Sequence, residues 1–411
     1  MTTLDTLSAR RIIEQLGSSG QPPEYGVQYF TAGLDLYLHA VDDEYLSSFI
    51  AAGGSAFKLV VGAYGGGKTH FLYCIRNLAG HRNFAVSYVS LKSGGECPFD
   101  KLDLVYKAII GGLLPPISDP NITLEDTKGV ENFLRHWYTQ RWATYRDQGK
   151  SSSAIEEALL EDIDAIAAAS IHSISFRNAI VQALRSIMRG EDRRYGEICQ
   201  WLKGESPVTP HLKQLQITQK VDRTTAFSLI RSLGQVTRQL GYSGLIVLLD
   251  EAERVPSLSK GQREQLLSNL REFIDECGHS SFQGIMVFYA VPDQNFLDGR
   301  TGVYEALRQR LSTIFDMASP MGVRIELDEA IGNSFSFLCE VGAKIVPIYN
   351  TAYGQALQPD QTEPFINSLA DSAIKQRFAD AGYKRLFVQK LVQGLSVIHR
   401  QGRVPTPEEL R

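Results

Sequence analysis

Cysteine is sparse and shows no pairing pattern. Cys74, Cys97, Cys199, Cys277 and Cys339 are odd in number, scattered, and never spaced C-x-x-C. That spacing signals neither a disulfide framework nor a zinc site, and free thiols suit a reducing compartment. Long apolar runs are also missing. No stretch approaches the roughly 20 apolar residues of a membrane span, and the opening MTTLDTLSARRIIEQLG has no apolar signal core. The expectation is a cytoplasmic protein without membrane contact. Charge of one sign is lacking too: 42 Lys and Arg stand against 46 Asp and Glu, a net −4. This excludes a globally basic nucleic-acid binder and leaves only a local basic groove as an option. The 411 residues, 43% hydrophobic and 21% charged, suffice for two or three globular domains with sizeable cores.

Glycine, by contrast, is concentrated where it is informative. Residues 62–69 read GAYGGGKT, directly after the apolar run AFKLVV, which only Lys58 interrupts. The octet matches G-x-x-x-x-G-K-[ST] with Gly62, Gly67, Lys68 and Thr69, and a buried strand before plus a helix after is the context this loop requires. A phosphate group lies against successive backbone N–H groups at the positive end of a helix. Side chains obstruct such a cradle, which explains Gly65, Gly66 and Gly67. Lys68 is expected to bridge the β- and γ-phosphates and the Thr69 hydroxyl to hold Mg²⁺. His70, next in line, is counted with the nucleotide-binding residues.

The rest of the chain alternates. FAVSYVSL (84–91) reads as a strand and FDKLDLVYKAIIGGLL (99–114) as a helix. After a polar, proline-punctuated helical stretch of about 115–240, strand patterns return in GLIVLLDEAE, GIMVFYAV and VRIEL, separated by helices. Strand–helix alternation predicts a parallel sheet covered on both faces. The expected organisation is an N-terminal helical segment (1–54) on the ATPase core, a P-loop ATPase domain (55–327) interrupted by the helical insertion, and a C-terminal helical lid (328–411).

LIVLLDEAE ends a buried strand in Asp250 and Glu251. An aspartate there suits the magnesium site, and the following glutamate can polarise an attacking water. Asp293, Gln294 and Asn295, after the next strand, are candidates for reading the γ-phosphate. EALRQRL places Arg308 and Arg310 near a helix end, where an arginine can reach a neighbouring subunit's site; Arg310 is the first choice. Gly382-x-x-Arg385 opens an amphipathic helix from which Arg385 can fold over the nucleotide.

In this order GAYGGGKT, LLDEAE, ALRQRL and GYKRLF resemble an AAA+ ATPase of the initiator or loader type. More narrowly, ARRIIEQLGSSGQPPEYGV, the Walker motifs and ICQWLKGE resemble the P-loop ATP-binding proteins of bacterial BREX-type phage-defence loci. The resemblance implies ATP binding and hydrolysis in a homo-oligomer that serves a DNA-directed complex beside helicases, nucleases or methyltransferases. Initiator relatives often add a winged-helix DNA-binding domain after the lid, and this chain ends almost at once after SVIHRQG. Arg185, Arg189, Arg193 and Arg194 form a basic cluster, diluted by Glu191 and Asp192, and a solvated helix face is the preferred reading over phosphate contact. Trp137, Trp142 and Trp201 are read as core or interface residues rather than base-stacking platforms. Two further readings compete with the motor: a nucleotide-controlled binding module, and a small-molecule phosphotransferase, for which no acceptor motif is present.

Overall fold

The computed structural model describes residues 4–90, 100–116, 127–250, 259–279, 281–292, 302–316, 318–330, 332–376 and 382–410. Its strands are β1 (Ser55–Val61), β2 (Ala85–Ser90), β3 (Leu113–Leu114), β4 (Leu245–Asp250), β5 (Ile285–Val291) and β6 (Arg324–Glu326). They form a six-stranded sheet in the order β3-β2-β4-β5-β1-β6, parallel throughout except for β3. Strands buried on both faces need nearly continuous apolar runs, and every residue of β4 and β5 is buried. Side chains alternate between the faces. Leu59, Val61, Val247, Leu249, Val287 and Tyr289 enter one core, while Val60, Ile246, Leu248, Met286, Phe288 and Ala290 enter the other.

The helices are α1 (Thr6–Ser19), α2 (Asp35–Val41), α3 (Lys68–His81), α4 (Leu102–Gly111), α5 (Val130–Asp147), α6 (Ser152–Ala168), α7 (Ile174–Arg189), α8 (Asp192–Leu202), α9 (Pro210–Gln214) and α10 (Ala226–Gln239). After them come α11 (Lys260–Gly278), α12 (Gly302–Arg310), α13 (Leu327–Ala330), α14 (Ser334–Tyr353), α15 (Pro359–Gln376) and α16 (Tyr383–Gln401). The helices of the 115–240 stretch do not stand apart from the sheet: Trp137, Phe176, Trp201 and Leu233 share one core with Leu245 and Val247. Trp137 Nε1 donates to Leu240 O at 2.7 Å and Trp201 Nε1 to Gln219 O at 3.0 Å. Half-buried Trp142 lies beside the Tyr138 ring. Two of the four clustered arginines are paired within the chain, Arg185 with Asp164 and Arg194 with Glu191.

Residues 1–54, expected as one segment against the sheet, divide between two cores. Tyr45, Leu46 and Ile50, on the turns that continue α2, bury against the α3 face of the sheet. Ala9, Ile12, Ile13 and Leu16 of α1 bury against Leu338, Val341, Phe387 and Leu391 of α14 and α16. The apolar stripe of an amphipathic helix joins whichever face is left open, and here that is the C-terminal helical layer. Gly394 lets α15 and α16 meet, since a Cβ there would lie 2.0 Å from Phe365 Cζ. Overpacking of this kind costs about 1–3 kcal/mol, against about 1 kcal/mol that alanine gains over glycine inside a helix. Gly394→Ala is therefore expected to lower the urea midpoint of the full chain, and an unchanged midpoint would show that the crossing relaxes freely.

Lys58, the polar residue within β1, is fully buried. Its Nζ donates to Gly322 O at 2.6 Å and to Tyr45 Oη at 2.7 Å, and it stands 4.6 Å from the Phe315 ring centre. Burial pushes its pKa down to about 7. The lysine thus ties β1 to the turn before β6, a role its strand pattern did not signal.

Candidate functional site

The carboxyl ends of the parallel strands share one edge of the sheet, and the chemistry-bearing residues gather there. The loop leaving β1 requires its glycines individually: Gly65 and Gly67 have φ of +71° and +102°, and a Cβ on Gly66 would lie 2.8 Å from Ala63 O. The loop runs straight into α3, whose N-terminus no side chain caps, so its first N–H groups remain for a ligand. Lys68 is buried at the start of α3, and its Nζ donates to Gly62 O at 2.7 Å and Ala63 O at 3.1 Å. The ammonium is folded onto the loop's own carbonyls.

Asp250 closes β4, buried, and receives the Thr69 hydroxyl on Oδ2 at 2.7 Å. Two motifs 181 positions apart thus touch. The Tyr88 hydroxyl donates to the same oxygen at 2.7 Å. Thr69 and Asp250 supply hard oxygen donors of the kind magnesium takes, with its remaining positions left to water and phosphate. No group of three or more His, Cys, Asp or Glu among the described residues forms a self-sufficient metal site.

A cleft of about 140 Å³ opens over this edge. Gly65, Gly66, Gly67, Lys68, Thr69 and Asp250 form its polar end. Its apolar walls come from opposite ends of the chain, Phe30, Ala32 and Leu34 on one side and Phe337, Leu338 and Val341 on the other. His70 joins them. Its Nε2 lies 2.9 Å from Thr31 Oγ1, which already donates to Val27 O, so Nε2 carries the proton. Burial pushes the imidazole pKa down to about 4, and the ring packs 5.1 Å from that of Phe30.

Two cations reach the cleft from α16. Arg385 Nη1 donates to Tyr64 Oη at 3.0 Å, on the loop itself. Lys384, which the sequence pattern did not single out, is buried and closer in: its Nζ donates to Gly66 O at 3.2 Å and to Asp328 Oδ1 at 3.1 Å. Its adjacency to Arg385 was the available signal. Tyr88 and Phe30 carried none, because neither belongs to a motif with fixed spacing.

Arg308 and Arg310 do not line the cleft. Arg310 is held within its own chain, with Nε donating to Asp275 Oδ1 at 2.5 Å and Nη2 to Oδ2 at 3.1 Å. Arg308 is exposed. Glu251, Asp293, Gln294 and Asn295 lie outside the described residues. No helix among the described residues is long and apolar enough to cross a membrane.

No curated protein and no solved structure matches the chain. A family model does, over residues 5–410. On that match over nearly its whole length, the chain belongs to the family of the BREX system ATP-binding protein BrxC/D.

Proposed function

We propose that the chain binds ATP with Mg²⁺ in this cleft and hydrolyses it, as an oligomeric AAA+-type P-loop ATPase of a phage-defence system. The 2.7 Å contact between Thr69 and Asp250 carries the reading, because it brings a phosphate-loop hydroxyl and a strand-end carboxylate to one point. The strand order supports a P-loop NTPase assignment, with the loop-bearing β1 and the acidic β4 separated by one strand.

On this reading the loop N–H groups and the start of α3 cradle the β-phosphate, and Lys68 leaves the loop carbonyls for the β- and γ-phosphate oxygens. Magnesium, when bound, neutralises charge on those oxygens. Thr69 and Asp250 hold its site, and Glu251 orients and polarises the attacking water. The adenine is received between the apolar walls from the N-terminal segment and the lid. Lys384 and Arg385 bring the lid's charge to the phosphates. Arg308 is the better finger for a neighbouring subunit's site, since Arg310 is already bound to Asp275.

ATP turnover measured against protein concentration, with and without DNA, tests this. Specific activity is expected to rise with concentration and to fall in Arg308→Ala, with added DNA stimulating it if the assembly works on nucleic acid. Activity independent of concentration and of Arg308 would rule out a shared site.

The shared core of α1, α14 and α16 favours a second reading. In it, nucleotide fixes the lid and the N-terminal segment together as a surface for another protein of the system. Tight ATP binding with negligible turnover at every concentration would select this switch over the motor.

A further inference from the structure

Asp250 accepts two hydrogen bonds on one oxygen, and only one of the donors belongs to the phosphate loop. The other, Tyr88, stands on β2, which pairs in parallel with β4 so that Tyr88 opposes Leu248 and Ser90 opposes Asp250. Tyr88 and Asp250 therefore face the same side of the sheet, offset by two residues, a diagonal that a tyrosine is long enough to bridge. Burial, and after it the Asp250 charge, push the phenol pKa far up. The hydroxyl donates to the carboxylate at 2.7 Å. No described residue donates to Oδ1.

The ring is itself held. Tyr73 of α3 lies with its ring centre 5.1 Å from that of Tyr88. The Arg76 guanidinium, one turn further along α3, stands 4.4 Å from the Tyr73 ring centre, 5.5 Å from Tyr25 and 6.0 Å from Tyr88. Arg76 Nη2 also donates to the Glu24 carbonyl. A cation over several ring faces gains more when desolvated than at the surface, and Arg76 is buried. The hydroxyl's place is thereby determined by α3, β2 and the N-terminal segment together.

We propose that Tyr88 is a positioning residue for the metal-site carboxylate: it holds Asp250 Oδ2 so that Oδ1 faces the magnesium of the bound nucleotide, and the Tyr73–Arg76 stack holds Tyr88. The proposal rests on the reading of the cleft as an ATP–Mg²⁺ site. A carboxylate anchored by two donors loses less freedom when the metal site forms, whereas one anchored by Thr69 alone must be reoriented just as Thr69 is recruited to the metal.

The test is ATP affinity by calorimetry on the full chain, in excess Mg²⁺ and in EDTA, with thermal unfolding of each apo protein alongside. Tyr88→Phe is expected to bind ATP in EDTA as the native chain does. It should forfeit about tenfold of the affinity that Mg²⁺ adds, the worth of one hydrogen bond to a charged group. Arg76→Lys, which removes the planar stack and keeps the charge, is expected to give a smaller loss of the same kind. A Tyr88→Phe protein with the full native gain from Mg²⁺ overturns the proposal and leaves the ATP site standing. Equal losses with and without Mg²⁺ also overturn it, because they mark a purely structural residue. If the native chain binds no ATP, or gains nothing from Mg²⁺, the reading of the cleft falls and the proposal falls with it.

Discussion

Lys68→Ala is expected to weaken ATP binding about a hundredfold or more, with little change in the fold. A hydrogen-bonded cation facing a phosphate is worth about 1.5–3 kcal/mol per bond, and every 1.4 kcal/mol is about tenfold in affinity. Two phosphate contacts therefore reach a hundredfold without further assumptions. Without nucleotide the ammonium spends its hydrogen bonds on Gly62 O and Ala63 O. Water can replace the lost donor at the part-buried Ala63 contact, while the buried Gly62 carbonyl loses a partner, so the loss of stability read from the unfolding midpoint should be no more than about 1–3 kcal/mol. Glu251→Gln supplies the contrast: it keeps the loop and the lysine, so ATP should stay bound while turnover is lost. Calorimetry with ATP on both variants, beside urea unfolding, separates the outcomes. An affinity in Lys68→Ala within threefold of native would mean that the glycine loop does not receive the phosphates.

The second large effect is in acid. His70, half-buried at the cleft wall, has a folded pKa of about 4 against 6.5 for a free imidazole, because the packing around it desolvates the charged form. Between those values the unfolded chain binds a proton that the native protein refuses. Stability is then present in full above about pH 6.5 and is lost as the pH falls toward 4. The gap corresponds to a ceiling of about 3 kcal/mol, at 1.36 kcal/mol per unit. His70→Gln retains a donor for Thr31 Oγ1 and removes the titration. Other titrating groups contribute equally to both proteins, so the difference between the two urea-unfolding series from pH 7.5 to 4.5 isolates the histidine. Native stability should fall toward the variant's as the pH drops. Parallel curves would place the proton elsewhere. Because His70 also packs against Phe30 at the cleft wall, its protonation is expected to loosen that wall at the same pH.

What was legible in the chain was what neighbouring residues decide among themselves. AFKLVV is apolar enough to be a buried strand, GGG can adopt what Gly65 and Gly67 need, and HFLYCIRNLAG continues as α3. The alternation of strands with helices announced the parallel sheet, and LIVLLD its fully buried β4. Each is a short-range consequence of side-chain period and backbone sterics. The two-residue antiparallel β3 escaped notice because it was absorbed into the apolar end of the preceding helix pattern.

The tertiary structure decided which of these pieces meet. The motifs led to the expectation that Asp250 and Thr69 share one site. Chain order does not give the order of strands in a sheet, so nothing in LLDEAE states the direct contact between them or that Tyr88 reaches the same carboxylate. Nor does the pattern of α1 say which surface it covers. It docks on helices more than 300 residues away because their apolar faces were the ones left open, and it brings Phe30 and Ala32 to the cleft beside it. The sequence favoured Arg310 over Arg308, and only the fold showed that Arg310 is paired with a carboxylate on α11. By itself the sequence determined the local parts: a phosphate-type loop between strand and helix, an acidic strand end, and amphipathic helices around them. Only the packed structure decided how they combine into a site, because burial and hydrogen bonding are settled between residues distant in the chain, and each apolar face takes whatever partner the completed sheet leaves it.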